Sequence, residues 1–420
     1  MSDPTPYFPT IEAVEAAAKK LEGVANITPL VSNKQYSSIY GCNVSFKRED
    51  LQVVRSYKIR GAYNKMSSLT EEEAANGVVC ASAGNHAQGV AMSCKLLKIQ
   101  GTVFMPSTTP NQKIERVKMF GEHYVKIILI GDSFDDAYNA AIKDCTERQK
   151  TFIHPFNDER VIEGQATLGL ELIHQTETPI DYIFVAVGGG GLASGLSTVF
   201  KLLSPTTKII GVEPEGAPSM KMAFQKGEVV ELETIDNFVD GAAVKRVGDK
   251  NFTICKNNLY DMITIHEGNA CQTILDLYNK EAIIAEPAGA LSVSALEEYK
   301  DEIKGKNVVC IISGGNNDIT RTAEIKERAL LYSNLKHYFI VTFPQRAGAL
   351  REFVVDILGP NDDITHFEYT KKANRENDVA VVGIELKSQH DLEPLVAKMK
   401  EYNFYGDYLN EKPDLFQFLV

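Results

Sequence analysis

The sequence has no surplus of positive charge: 44 Lys and Arg stand against 56 Asp and Glu, a net charge of −12 at pH 7. This balance argues against broad attraction to nucleic acid or to an anionic membrane, both of which bind through cationic patches. Only a local anion pocket remains open. The sequence also lacks any C-x-x-C pair. Its seven cysteines (Cys42, Cys80, Cys94, Cys145, Cys255, Cys271 and Cys310) are scattered and odd in number, a pattern of reduced, buried thiols rather than of a zinc or disulfide framework. No stretch stays apolar long enough to span a bilayer, and residues 1–10 carry neither the basic nor the apolar region of a secretory signal. The expectation is a cytoplasmic protein. Internal repeats and low-complexity tracts are also missing.

What is present is an ordinary globular composition, 44% hydrophobic and 24% charged over 420 residues, enough for two or three domains. From about residue 11 to residue 330, short β-branched runs alternate with longer helical patterns, which predicts an α/β fold with a mainly parallel sheet. Strands are expected at residues 77–80, 102–105, 125–129, 182–187, 208–212 and 307–312. In such sheets ligands bind beyond the carboxyl ends of the strands. After a charged helix at 321–333 the texture changes. Strands at 336–343, 364–371 and 379–386 and helices at 347–358 and 392–402 predict a compact ferredoxin-like unit. The expected domains are therefore 1–332 and 333–420.

Four loops carry candidate chemistry. In Ser56-Tyr57-Lys58-Ile59-Arg60-Gly61-Ala62 a lysine sits just ahead of a helix. If desolvated, its amine is a Schiff-base former; otherwise it is a surface lysine. In Ser82-Ala83-Gly84-Asn85-His86 a strand runs through small residues into a helix N-terminus, where amides and the helix dipole favour a carboxylate or phosphate. Asn85 fits equally as an N-cap there, and His86 as a first-turn polar residue. In Gly188-Gly189-Gly190-Gly191-Leu192 four glycines expose bare amides to a phosphate. Gly188, Gly190 and Ala193 also fit G-x-G-x-x-A with Glu213 as a ribose-binding acid, so a nicotinamide-dependent oxidoreductase stays open from this loop. Finally, Ser313-Gly314-Gly315-Asn316 follows a strand, and its hydroxyl could pair with a heterocycle nitrogen or merely form a turn.

Together, and in this order, these segments resemble the pyridoxal-phosphate enzymes of fold type II, the tryptophan synthase β family, and within it the biosynthetic threonine dehydratases. His154-Pro155-Phe156-Asn157 and Glu286-Pro287-Ala288-Gly289-Ala290 share the resemblance. It implies a two-lobed catalytic domain that uses pyridoxal 5'-phosphate. Lys58 would hold the cofactor covalently and act as the base, Asn85 would bond its 3' oxygen, Gly188 to Leu192 would cradle its phosphate, and Ser313 would pair with its ring nitrogen. Ser82, Gly84 and His86 would lie where the substrate carboxylate binds. The implied reaction is β-elimination of L-threonine, and of L-serine, to a 2-oxo acid and ammonia; from threonine the product is 2-oxobutanoate, the first step of isoleucine biosynthesis. Serine dehydratase or racemase activity is the alternative within the family. A cation site of some relatives would fall on Glu213, Ala217 and Ser219, where serine replaces the expected carboxylate, so no metal is assigned. The C-terminal unit resembles a single ACT-like regulatory domain, implying isoleucine and valine as effectors and a homo-oligomer, a dimer or tetramer.

Overall fold

The computed structural model describes residues 6–370, 377–412 and 414–416. The ends of the two expected domains, at 1–5 and 417–420, and residue 371 of an expected strand lie outside the described residues. The chain divides into two compact units, Met1–Ile319 and Thr320–Val420.

The first unit contains two sheets, hence two lobes. The larger sheet has six strands in the order Leu30–Ser32, Asn43–Arg48, Asn307–Ile312, Tyr182–Ala186, Lys208–Pro214 and Asp261–Ile265. Only the first pair is antiparallel. The smaller sheet orders Val125–Leu129, Gly101–Met105, Val78–Ala81 and Thr151–Phe152, all parallel. Helices cover both faces, so central strands such as Val78–Ala81 are buried throughout and read as continuous apolar runs. Ile183, Val185, Leu196, Phe200 and Ile311 fill the larger core; Val78, Cys80, Val90, Val103 and Val117 fill the smaller. None of the seven cysteines forms a disulfide among the described residues, and all but Cys145 are buried.

The second unit is a four-stranded antiparallel sheet in the order Asp363–Thr370, Asn377–Glu385, Lys336–Pro344 and Tyr405–Tyr408. The helix expected at 347–358 begins at Ala349 and passes into a π-helical turn at Phe353–Ile357. Phe339, Val382, Phe353, Met399 and Phe404 make its core. The charged helix Thr322–Tyr332 belongs with this unit: Tyr338 Oη donates to Glu327 Oε1 at 2.6 Å, and Lys336 pairs with the same carboxylate. No helix among the described residues is long and apolar enough to cross a membrane.

Candidate active site

The strand Asn307–Ile312 ends at buried Ser313, and the loop beyond it is clasped to the segment that leads into Lys58. Tyr57 N donates to Ser313 O at 3.2 Å, Gly315 N to Arg55 O at 2.9 Å, and Ser56 bridges to Gly314. This clasp brings together two of the four candidate loops. Lys58 opens the helix Lys58–Met66, and its Nζ donates to Pro155 O at 3.0 Å. Burial pushes its pKa down to about 8, against an opposing pull from the Glu286 carboxylate, so the amine is largely removed from the solvated, permanently charged state of a surface lysine. Lys58 is thus half-buried rather than a fully solvated surface lysine.

Lys58 reaches the loop at 154–157, which is stiffened by His154. Its Nδ1 accepts from Phe156 N at 3.2 Å and Asn157 N at 2.8 Å. Two N–H donors on Nδ1 place the ring proton on Nε2. Burial, with Lys58 adding repulsion, lowers the His154 pKa to about 4.

The small-residue loop follows the strand Val78–Ala81 and opens the helix Asn85–Leu97. The N-cap is Gly84, not Asn85, and its backbone is free of a capping side chain. Asn85 instead turns its amide inward: Nδ2 donates to Glu286 Oε1 and Oε2 at 2.7 and 2.9 Å, and Oδ1 accepts from Asn316 Nδ2 at 2.6 Å. His86 is buried with its Nε2 donating to Ile153 O at 2.8 Å, and burial followed by Lys58 lowers its pKa to about 3. A neutral, committed ring leaves His86 its backbone N–H to offer an anion, beside the free amides of that helix start. Ser82 Oγ accepts from Gly84 N at 3.2 Å, which shapes the turn.

The glycine loop connects the strand Tyr182–Ala186 to the helix Gly191–Leu203, whose first turn holds Leu192. Gly190 has φ +91°, a conformation that L side chains rarely adopt. A Cβ on Gly188 would come within 2.9 Å of Ala242 Cα, and one on Gly189 within 2.2 Å of the Phe156 ring. The loop is thus held flush against its neighbours, with bare amides at a helix N-terminus, a cradle suited to a phosphate. The Ser313 hydroxyl makes no hydrogen bond among the described residues, so it is available to a heterocycle. A desolvated lysine, a bare-amide cradle and an uncommitted hydroxyl fit pyridoxal phosphate.

Two site residues escaped the sequence reading. Glu286 was noted only within a motif; it is buried, and burial raises its carboxyl to about 7 despite hydrogen bonds from Asn85 and from Asn316 N. Asn251, from the start of the helix Asp249–Asn258, touches the glycine loop. Glu213 does not serve as a ribose-binding acid. Its two oxygens accept from Met220 N at 2.7 Å and Lys221 N at 2.9 Å, capping the helix Ser219–Lys226. Ser219 Oγ lies 3.4 Å from the same carboxylate, and the described residues contain no His, Cys, Asp and Glu group able to hold a metal.

Residues 21–314 match the family of pyridoxal-phosphate-dependent enzymes, and residues 327–419 match the C-terminal regulatory domain of threonine dehydratase. The chain is 54% identical to the biosynthetic L-threonine dehydratase of Halalkalibacterium halodurans over 410 residues, covering 98% of this chain and 99% of that one. The Bacillus subtilis L-threonine dehydratase is also 54% identical, over 98% of this chain and 97% of its own. Among solved structures it resembles the processed form of threonine deaminase isoform 2 from Solanum lycopersicum, with TM-score 0.72 and 38% identity, covering 77% of this chain and 96% of that one. Maize serine racemase aligns at TM-score 0.72 and 29% identity, over 78% and 99% of the two chains.

Proposed function

The chain belongs to the pyridoxal-phosphate-dependent enzymes, and we propose that it is a regulated threonine dehydratase, converting L-threonine to 2-oxobutanoate and ammonia as the first step of isoleucine synthesis. The observation that carries this reading is Lys58: a half-buried amine with a pKa lowered to about 8, held by one neutral carbonyl, close to the Ser313 loop and to the small-residue loop. Near-complete relationship to threonine dehydratases supports the choice of substrate.

Lys58 would carry the cofactor, and Gly188 to Leu192 would hold its phosphate through backbone N–H groups. Asn85 would bond the 3' oxygen by turning one Nδ2 hydrogen to it from the Glu286 carboxylate, and Ser313 would pair with the ring nitrogen. When bound, the cofactor supplies an electron sink that acidifies the substrate Cα. The amides around Ser82, Gly84 and His86 hold the substrate carboxylate, fixing which face of Cα meets Lys58. The Lys58 amine would take the Cα proton, a task matched by a pKa close to working pH. The Cβ–O bond would break with the electron pair leaving on oxygen, and the proton removed from Cα balances the one with which that oxygen departs as water. The enamine released from the site then takes up water and loses ammonia. As a neutral partner, Ser313 would not hold the ring nitrogen protonated as a carboxylate would, which favours elimination over transamination.

The second unit is the regulatory part, with isoleucine inhibiting and valine opposing it, in a cytoplasmic homo-oligomer; serine is a second substrate. Absorption spectra before and after borohydride test the core of the proposal. A yellow protein whose band is reduced onto Lys58, together with 2-oxobutanoate release from threonine, is the expected result. A colourless protein that binds nicotinamide would overturn it.

A further inference from the structure

We propose that Asn251 is the positioning residue that sets the phosphate cradle and ties it to the Lys58 side of the site; this deepens the pyridoxal-phosphate reading and rests on it. Asn251 is fully buried. Its Nδ2 donates to Gly189 O at 2.7 Å and to Phe156 O at 3.2 Å. Gly248 N adds a second donor to Gly189 O at 3.2 Å.

A glycine run has many backbone states open to it, and a cradle that must be reordered on each encounter binds weakly. With the Gly189 carbonyl fixed by two donors, the planar trans peptide fixes the Gly190 N–H on the opposite edge, pointing away from Asn251. The two residues also pack closely, leaving no room for a side chain at Gly190: a Cβ there would meet Asn251 Cβ at 2.9 Å. The second bond, to Phe156 O, holds the loop whose neighbouring carbonyl, Pro155 O, receives Lys58 Nζ. One amide thereby joins the loop that grips phosphate to the loop that orients the amine. The other half of that amide, Oδ1, is buried with no hydrogen-bond partner. An aliphatic side chain of similar volume would avoid that cost, so what asparagine gives this position is its N–H pair.

The test uses full-length apoprotein titrated with pyridoxal phosphate and, separately, with pyridoxal, which lacks the phosphate. Asn251→Asp keeps the shape and removes the donor; Asn251→Ala removes both. Each is expected to weaken pyridoxal phosphate binding roughly 10- to 100-fold, to weaken pyridoxal binding less than about threefold, and to abolish competition by inorganic phosphate. Binding of pyridoxal phosphate within twofold of the parent, or equal losses for the two ligands in a variant with native circular dichroism, overturns the proposal. Should Asn251→Asp fail to fold, Asn251→Ser takes its place with the same two outcomes. An unsubstituted apoprotein that binds no pyridoxal phosphate would instead sink the functional reading itself, a result distinct from either.

Discussion

Asn85 and Glu286, 201 residues apart, meet as amide and carboxylate, with Asn85 Nδ2 donating to both carboxylate oxygens. Asn316 bonds the other end of the amide, so the pair fixes which way Asn85 faces. The carboxylate is the better acceptor when ionised, and burial holds its pKa at about 7. Protonation as pH falls through 7 therefore loosens Asn85. An acid limb near pH 7 is expected in kcat/KM for threonine, and Glu286→Gln should flatten that limb while lowering the plateau roughly tenfold. Stability moves the other way. A carboxyl raised above its unfolded value of about 4.3 stabilises most below that value and loses the contribution as pH rises to 7. The variant should thus gain melting temperature relative to the parent at pH 8 but not at pH 4; an equal offset at both pH values contradicts the assignment.

Lys58 is the second titration that can be read. Its amine reacts with an aldehyde only when neutral, and burial brings its pKa to about 8, well under the roughly 10.4 of an exposed lysine. Capture of pyridoxal phosphate by apoprotein, followed by stopped-flow absorbance, should rise with pH with a midpoint near 8. Because the Glu286 charge pulls in the opposite direction, Glu286→Gln should move that midpoint lower still. A midpoint above 10 would mean the lysine is solvated in the working protein.

The parts of the site legible in the sequence are those that are local. A glycine run after a strand, a lysine at a helix start and a serine at a strand end each declare their geometry within a few residues. Asn251 and Glu286 do not, because their roles arise from contacts 62 and 201 residues away, and Glu286 stands before Pro287 like any helix-starting acid. The fold divides similarly. The expected strands of the lobes lie within two residues of those observed, whereas Asn43–Arg48 was missed because buried Lys47 reads by type as surface. The four-residue strand Tyr405–Tyr408 is short, contains Gly406, and carries no alternation to read.

That buried Lys47 belongs to a network centred on Arg60, two residues along the helix from Lys58. Arg60 donates from Nε and from a terminal nitrogen to the two Glu49 oxygens, each at 2.8 Å, and to Glu171 Oε1 at 2.6 Å; Lys47 pairs with the other Glu171 oxygen. All four groups are largely shielded from water, and the charges cancel. Arg60→Met strands the Glu49 carboxylate and leaves Glu171 with Lys47 alone, at a cost of about 3–5 kcal/mol, read as a lower denaturant midpoint. Adding Glu49→Gln should recover part of the loss, since it removes one stranded charge. A single variant as stable as the parent would show that the network contributes little.

The second unit supplies the last prediction. Its strand Lys336–Pro344 leads through Arg346 and Gly348 into the helix at Ala349, and Gly348, with φ +88°, has no atom within 4 Å of the position a Cβ would take. Open backbone at such a turn can receive the ammonium or carboxylate of an amino acid. Because the charged helix Thr322–Tyr332 bonds to the strand that follows it, a clean removal must start at Thr320 and not at the later boundary that the sequence suggests. In the full chain isoleucine should shift half-saturation by threonine by about 5- to 150-fold, the usual range of a coupling energy between two sites, and valine should reverse the shift. A chain ending at Ile319 should retain dehydration of threonine and show no response to either amino acid. Undiminished inhibition of that shortened chain by isoleucine would place the effector site in the first unit.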